Sequence, residues 1–251
     1  MRLALFSDIH GNIQALEACL AHAQGQQAER LAFLGDMVGY GADPVAVVQR
    51  VQGLVLQGAC ALQGNHDAMA VHPPQDVQTI GESTARWTHR QLQPEQRAWL
   101  AELPLTAYED TLLLVHASAE EPALWHYVYD QRSATASLDA ALLQWPGVRY
   151  VLGGHVHMQT LYYRGSGHDL MLFKPQPGIA IPVPRHRQWV GTIGSVGQPR
   201  DGNTHAMYAL LDTGRAQLTY HRVPYDFHAA AEAVRQAGLP AFFADRLEVG
   251  R

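Results

Sequence analysis

With 251 residues, 47% of them hydrophobic and 16% charged, the chain is long enough for one large domain with an ample core, expected to span 1–251. Its net charge of −5 excludes a non-specific nucleic-acid or membrane surface built on fixed basic charge, but leaves small nucleotides open as substrates. No apolar run reaches the length of a membrane span, the first residues enter a strand pattern without a leader's basic and apolar segments, and the two cysteines, Cys19 and Cys60, read as small buried hydrophobes in a reducing compartment, so a cytoplasmic location is expected.

In chain order, Leu3-Ala4-Leu5-Phe6 reads as a strand. Asn12 is a candidate cap for a helix bearing Ile13, Leu16, Ala18 and Leu20. Leu31-Ala32-Phe33-Leu34 reads as the next strand, and Pro44 opens a second helix with Val45, Val48 and Val51. Cys60-Ala61-Leu62 is a short strand, followed after Asp67 by an expected polar loop and helices around 81–92 and 94–101. Strands near 105–109 and 111–115 form a hairpin through Glu109-Asp110. A helix near 133–144 precedes the strand Tyr150-Val151-Leu152. From 158 to 222, short strands with Gly turns, including a hairpin at Asp212-Thr213-Gly214, predict an antiparallel or mixed second sheet. A final helix over 226–237 ends at Gly238-Leu239-Pro240.

Five polar fragments each follow one of the apolar runs: Asp8-Ile9-His10, Gly35-Asp36, Gly64-Asn65-His66-Asp67, His116, and Gly154-His155-Val156-His157. Runs this short and apolar suit strands covered on both faces, and ligands in such folds collect outside the carboxyl ends of the strands. The five fragments can therefore converge at one sheet edge. In extended chain, the outer residues of Asp8-x-His10 and of His155-x-His157 would point the same way with Cα atoms about 6.5 Å apart, matching two ions at about 3.5–4 Å separation. Singly, each fragment is weak: Gly35-Asp36 could be a capped turn and His116 an ordinary packed histidine. Their ordered recurrence after strands carries the signal. The other nine of the fourteen histidines, such as His22, His72, His89, His168 and His228, show no ligand spacing.

The series Asp8-x-His10, Gly35-Asp36, Gly64-Asn65-His66, His116, Gly154-His155-x-His157 resembles the calcineurin-like metallophosphoesterase superfamily. More narrowly, Ser7–Asn12, Gly35–Gly41 and Gly194–Gly202 resemble its small prokaryotic YfcE-like or diadenosine tetraphosphatase-related members. The resemblance implies an α/β fold, an αββα sandwich of two mixed sheets flanked by helices, with the metal site at the carboxyl ends of the strands. It also implies two divalent metal ions: one held by Asp8, His10, Asp36 and His157, the other by Asp36, Asn65, His116 and His155, with His66 left free beside the leaving group as general acid or transition-state donor. Two cations would polarise the phosphoryl oxygens and bring a shared water toward ionisation near neutral pH. Imidazole, carboxylate and amide donors suit Mn²⁺ first, with Fe, Co, Zn or Ni as alternatives.

The protein serine/threonine phosphatases of this superfamily carry Asp-Arg-Gly shortly after their Gly-Asp. Here that stretch is Val38-Gly39-Tyr40-Gly41, so their phosphate-clamping arginine and histidine-orienting aspartate are missing. Asp67 is the nearest carboxylate to His66, either as its orienting partner or as a helix cap. Arg200 is the leading substrate-binding candidate, its alternative being a loop arginine paired to Asp201. Tyr40, Lys174, Arg185 and Arg187 are weaker ones. The Pro-rich 174–187 segment either overhangs the site or forms a surface hairpin, and Trp125, Tyr127 and Tyr129 either stack on a base or pack. The expected activity is hydrolysis of a small-molecule phosphate monoester or diester, including nucleotides. The alternatives are a dinucleoside polyphosphate hydrolase and a non-catalytic scaffold on the same fold.

Overall fold

In the computed structural model, residues 1–251 are described except 166 and 168, so His168 lies outside the described residues. The elements follow one another as β1 (Arg2–Phe6), α1 (Ile13–Gly25), β2 (Arg30–Phe33), α2 (Pro44–Leu56), β3 (Cys60–Ala61), α3 (Asn65–Val71), α4 (Ile80–Ser83), α5 (Ala85–Gln91), α6 (Pro94–Glu102), β4 (Thr106–Glu109) and β5 (Leu112–Val115). They continue as α7 (Gln131–Gln144), β6 (Tyr150–Gly153), β7 (Gln159–Arg164), β8 (Leu170–Phe173), β9 (Ala180–Pro182), β10 (Trp189–Ile193), β11 (Ala206–Asp212), β12 (Gln217–Val223), α8 (Phe227–Gln236) and α9 (Ala241–Val249). The strands form two mixed six-stranded sheets, β3-β2-β1-β11-β12-β9 and β4-β5-β6-β10-β7-β8.

The two sheets pack face to face with helices outside, and the alternation along each strand shows why. In β1, Leu3 and Leu5 point between the sheets, where they meet Leu114, Leu152, Leu161 and Tyr220. Ala4 and Phe6 point outward to Leu16 of α1 and Val48 of α2. On the other side, Leu113, Val115, Val151 and Val190 bury Ala134 and Leu138 of α7. A strand covered on both faces needs apolar residues at every position, which is the pattern of these runs. Helix starts follow local chemistry: the Asn12 side chain accepts from Ala15 N–H, Pro44 occupies the first turn of α2, and Asp130 and Asp226 cap α7 and α8.

Three expectations are corrected. The strands after residue 158 do not build a sheet of their own. β11, β12 and β9 extend the first sheet through β1–β11 pairing, while β10, β7 and β8 extend the second. Ala68 to Val71, expected as the start of a loop, continue the helix that opens at Asn65, because Asp67 caps that helix's first turn. The chain turns back at Pro240 into α9, so the Gly-Leu-Pro stop signal is also a helix start. The Pro-rich segment lies away from the site: β9 pairs with β12 near Gln217, at the sheet end where β1 begins, and Arg185 pairs with Asp110 in the β4–β5 turn. No helix among the described residues is long and apolar enough to cross a membrane.

Beneath α1, His221 stacks on Tyr208 at 4.7 Å, and Tyr208 shares a 2.7 Å hydrogen bond with His22. His221 Nε2 has no partner. Burial, then the nearby His22 and Arg2, push the His221 pKa down to about 4. A depressed pKa means the unfolded chain binds the proton more readily, so this stability is present above about pH 6.5 and is lost as pH falls toward 4. The expected loss is on the order of 2 kcal/mol, discounted for the part of the ring that reaches solvent. Urea midpoints at pH 7 and 5 check it: His221→Phe should flatten the difference, and an unchanged acid loss in that variant would count against it.

Candidate active site

The five fragments meet at the carboxyl ends of β1, β2, β3, β5 and β6, stitched by backbone bonds. Asp8 N–H donates to Gly35 O (3.0 Å), His10 N–H to Asp36 O (2.9 Å) and Gly154 N–H to His116 O (2.8 Å). Two glycines are required by close approach: a Cβ at Gly64 would overlap the Asp36 carboxylate, and one at Gly154 the Ser7 hydroxyl. Asp8, His10, Asp36, His155 and His157 all sit in left-handed backbone, with φ of 54°, 50°, 54°, 66° and 61°. Left-handed non-glycine residues are uncommon and strained, and their concentration here marks a functional cluster. It also corrects the expectation of extended geometry: Asp8 and His10 turn toward one point, whereas His155 and His157 turn to different ones.

Two groups result: Asp8, His10 and His157, and Asp36, His116 and His155. The ligand atoms of each group lie within 4.8 Å of one another. Asp36 Oδ2 lies between the groups, 3.8 Å from His10 Nε2 and 3.4 Å from His116 Nε2. Asn65 Oδ1 completes the second group at 3.1 Å from His116 Nε2.

The hydrogen bonds decide which nitrogen faces inward. Nδ1 of His10, His116 and His157 each donates to a carbonyl, of Val38, Leu34 and Gln198 respectively, at 3.1, 2.7 and 2.7 Å. In the neutral ring each Nε2 is then a lone-pair acceptor, the usual arrangement of a metal-binding histidine. His10 Nε2 and His157 Nε2 nevertheless face each other at 3.1 Å. The Oδ1 atom of Asp8 and Nε2 of His155 are buried with no partner. Acceptors converging on one another without donors fit a pair of cations.

Electrostatics agree. Burial pushes the Asp8 carboxyl up, but His157 outweighs it and holds the group well below the usual carboxylate range. Burial would lower the His116 pKa, but the Asp36 carboxylate prevails and raises it to about 9. A cation entering there displaces a proton. His155 is pushed down to about 4 by burial and by His116.

His66 lies beside this centre without joining either group. Its N–H donates to Asp36 Oδ1 at 2.8 Å, and its ring packs 4.4 Å from Tyr40 and edge-on to His10 at 5.0 Å. Asp67 does not orient it. The Asp67 carboxylate instead accepts from Asp36, Met37, Val38 and Gly64 N–H at 2.8, 2.9, 3.2 and 2.9 Å, clamping the β2 loop to α3. The cap alternative thus describes Asp67, and Tyr40 supplies the wall behind His66.

Arg200 is not paired to Asp201, which Arg222 takes. Its guanidinium bonds Gln198 Oε1 at 2.8 and 3.2 Å and sits 5.7 Å from the Tyr40 ring centre. Arg187 lies over Tyr163 and Arg185 on Asp110, so neither takes part. Tyr127 stacks on His155 at 4.1 Å while half exposed, and Trp125 meets His116 edge-on at 5.7 Å. With Tyr40, His66, Met69, Gly81 and Leu124 they line an open cleft of ≈ 720 Å³ beside the metal groups. Sequence reasoning missed Gln198, whose carbonyl and side chain hold His157 and Arg200, and Phe243, which stacks on Tyr40 at 5.0 Å. Gln198 lies inside the Gly194–Gly202 stretch that carries the resemblance, although no role is read for it there, and Phe243 carries no local signal.

Comparison with known proteins agrees with this geometry. The model of the calcineurin-like phosphoesterase superfamily domain matches residues 1–216. The crystal structure of a metallophosphoesterase from Sphaerobacter thermophilus is similar with a TM-score of 0.86 and 30% identity, over 100% of this chain and 99% of that one. The uncharacterized protein MJ0912 of Methanocaldococcus jannaschii is 28% identical over 255 residues, covering 99% of this chain and 98% of its own. The hypothetical protein PH1004 from Pyrococcus horikoshii OT3 shares the fold, with a TM-score of 0.79 at 18% identity over 100% and 98% of the two chains. The chain belongs to the calcineurin-like phosphoesterase superfamily.

Proposed function

We propose that the protein is a dinuclear metal-dependent phosphoesterase that hydrolyses phosphomonoesters or phosphodiesters of small molecules. The observation that carries this reading is the shared Asp36 carboxylate between two donor-poor groups of acceptors at the strand ends. Asp8, His10, Asp36 and His157 would hold one cation; Asp36, Asn65, His116 and His155 the other. When bound, such a pair neutralises the phosphoryl oxygens and acidifies water. The mixed imidazole and oxygen set favours Mn²⁺, with Fe, Co, Zn or Ni as alternatives.

The chain's own groups do the rest. In hydrolysis a water oxygen bonds to phosphorus, the P–O bond to the leaving group breaks, and that leaving oxygen takes up the proton the attacking water gives up. His66 stands beside the centre to meet the leaving oxygen. Burial holds its pKa below the usual range, which favours the neutral imidazole as a hydrogen-bond donor to that oxygen. Arg200 offers a guanidinium to the phosphate. The backbone carbonyls of Leu34, Val38 and Gln198 fix the histidine tautomers.

A second reading, hydrolysis of dinucleoside polyphosphates, is favoured by one observation: the cleft is roomy enough for a nucleoside and walled by Trp125 and Tyr127. A panel of p-nitrophenyl phosphate, bis-p-nitrophenyl phosphate, 2′,3′-cyclic nucleotide and diadenosine tetraphosphate with added Mn²⁺ separates the two. Turnover of the last compound alone selects the second, and silence on all four in a metal-loaded protein rejects both. His66→Asn should lower kcat about 10²- to 10³-fold on alkyl phosphates and less on p-nitrophenyl phosphate, whose leaving group needs little assistance. Equal losses on both ester types would remove His66 from the leaving-group step.

A further inference from the structure

Arg246 has no place in that reading, yet its helix packs on the Tyr40 wall of the same centre. Helix α9 closes over Tyr40 through Phe243, whose buried ring stacks at 5.0 Å and 30°. The end of α9 is locked to the Arg200 loop: Gly202 N–H donates to Gly250 O at 2.8 Å, and Gly250, with φ of 65°, lies against the Asn203 backbone. Arg246 is one helical turn beyond Phe243 and so shares its face. Its guanidinium lies 4.8 Å over the Phe242 ring, and that of Arg200 lies 5.7 Å from the Tyr40 ring. Tyr40 in turn touches His10 at 4.5 Å and His66 at 4.4 Å.

Among the described residues no carboxylate pairs with either arginine. Asp201 is taken by Arg222, and Asp245 and Glu248, the acids flanking Arg246 on α9, both face Arg235. Burial and then the Arg200 charge lower the pKa of Arg246, so the two guanidinium groups feel each other. Phe243 of α9 and the Arg200 guanidinium both pack on the Tyr40 ring, and the end of α9 is bonded to the Arg200 loop, so two arginines that no carboxylate neutralises are carried on elements meeting at the wall behind the centre, where an anion would find compensation.

We propose that Arg246, with the Tyr40 hydroxyl and an Arg200 shared with the scissile phosphate, forms a second anion subsite on the His66 side of the centre and selects substrates whose leaving group itself carries an anionic group. This rests on the phosphoesterase reading. It makes Arg246 a specificity-determining residue, where a merely structural role over Phe242 would leave selectivity untouched.

The test compares the metal-loaded full-length protein on p-nitrophenyl phosphate, adenosine diphosphate (a phosphate on the leaving group) and 2-phosphoglycolate (a carboxylate). Arg246→Gln should lower kcat/KM for one or both anionic substrates about tenfold more than for p-nitrophenyl phosphate, mainly through KM. Loss on adenosine diphosphate alone identifies phosphate as the recognised group; loss on both identifies any anion. Arg246→Lys should keep most of the selectivity. Arg235→Gln, which breaks the ion pairs between α8 and α9, should leave the ratio unchanged. Calorimetry with Mn²⁺ present should show pyrophosphate binding weakened about tenfold in Arg246→Gln. Equal loss on all three substrates, or no change in ratio and in pyrophosphate affinity, overturns the proposal. Pyrophosphate binding that depends on Arg246, in a protein that turns over no ester, would instead sink the phosphoesterase reading and leave the subsite standing.

Discussion

Replacing Asp36 by Ala should abolish turnover by about 10³- to 10⁵-fold and remove both cations together. Among the described residues its Oδ2 is the carboxylate oxygen that pairs with a histidine of each acceptor group, at 3.8 Å from His10 Nε2 and 3.4 Å from His116 Nε2. Without it, the first group keeps one carboxylate, and the second is left with two imidazoles and an amide. The fold should survive, because apart from its approach to His10 and His116 within the site the side chain accepts only the His66 N–H, a loss of about 1–2 kcal/mol. Metal content by mass spectrometry, kcat and circular dichroism measured on one preparation decide the matter. A folded variant that binds two ions per chain, or retains a tenth of the activity, would contradict the shared-carboxylate reading.

Asp67→Ala should be the most destabilising single change near the site, by about 3–6 kcal/mol, because four buried N–H groups lose their acceptor at once. At this chain length that corresponds to a fall in Tm of roughly 6–24 °C. Burial and then the Asp36 charge push the Asp67 pKa up to about 7, while donors on both oxygens favour the carboxylate. Asp67→Asn tests that balance. Its amide keeps one acceptor and turns an NH₂ toward two N–H donors, so it too should lose stability, by less than the alanine variant. Activity should fall with stability, since Asp36 rides on the clamped loop. An Asp67→Ala protein with a urea midpoint near that of wild type would show that water replaces the carboxylate and that the clamp is dispensable.

Most of the site was legible because its chemistry is local in sequence. Each polar fragment follows an apolar run, and an Asp, Asn or His just beyond a buried strand has few roles besides ligand or cap. Gly64 and Gly154 belong to the same signal, since a side chain at either would collide with the neighbouring fragment. Other features were not legible. Arg200 and Arg246 lie far apart in sequence, as do Tyr40 and Phe243, and nothing in local periodicity couples a C-terminal helix to a loop near the amino terminus. The pairing of β11 with β1 was hidden for a related reason. A strand buried on both faces carries no preference for one buried neighbour over another.

The amino-acid order alone determined where strands end, which residues stand at those ends, and hence the ligand types that the two candidate metal groups offer. Local physics suffices for that: apolar alternation, capping side chains and glycines at close approaches act within a few residues. Only the tertiary structure decided how Asp8, His10 and His157 separate from Asp36, His116 and His155, because left-handed backbone and long-range backbone bonds aim those side chains. It likewise decided that Asp67 clamps a loop instead of orienting His66, and that α9 closes the far wall of the site. Such outcomes depend on which surfaces are buried together, a property of the packed molecule that no short stretch of chain encodes.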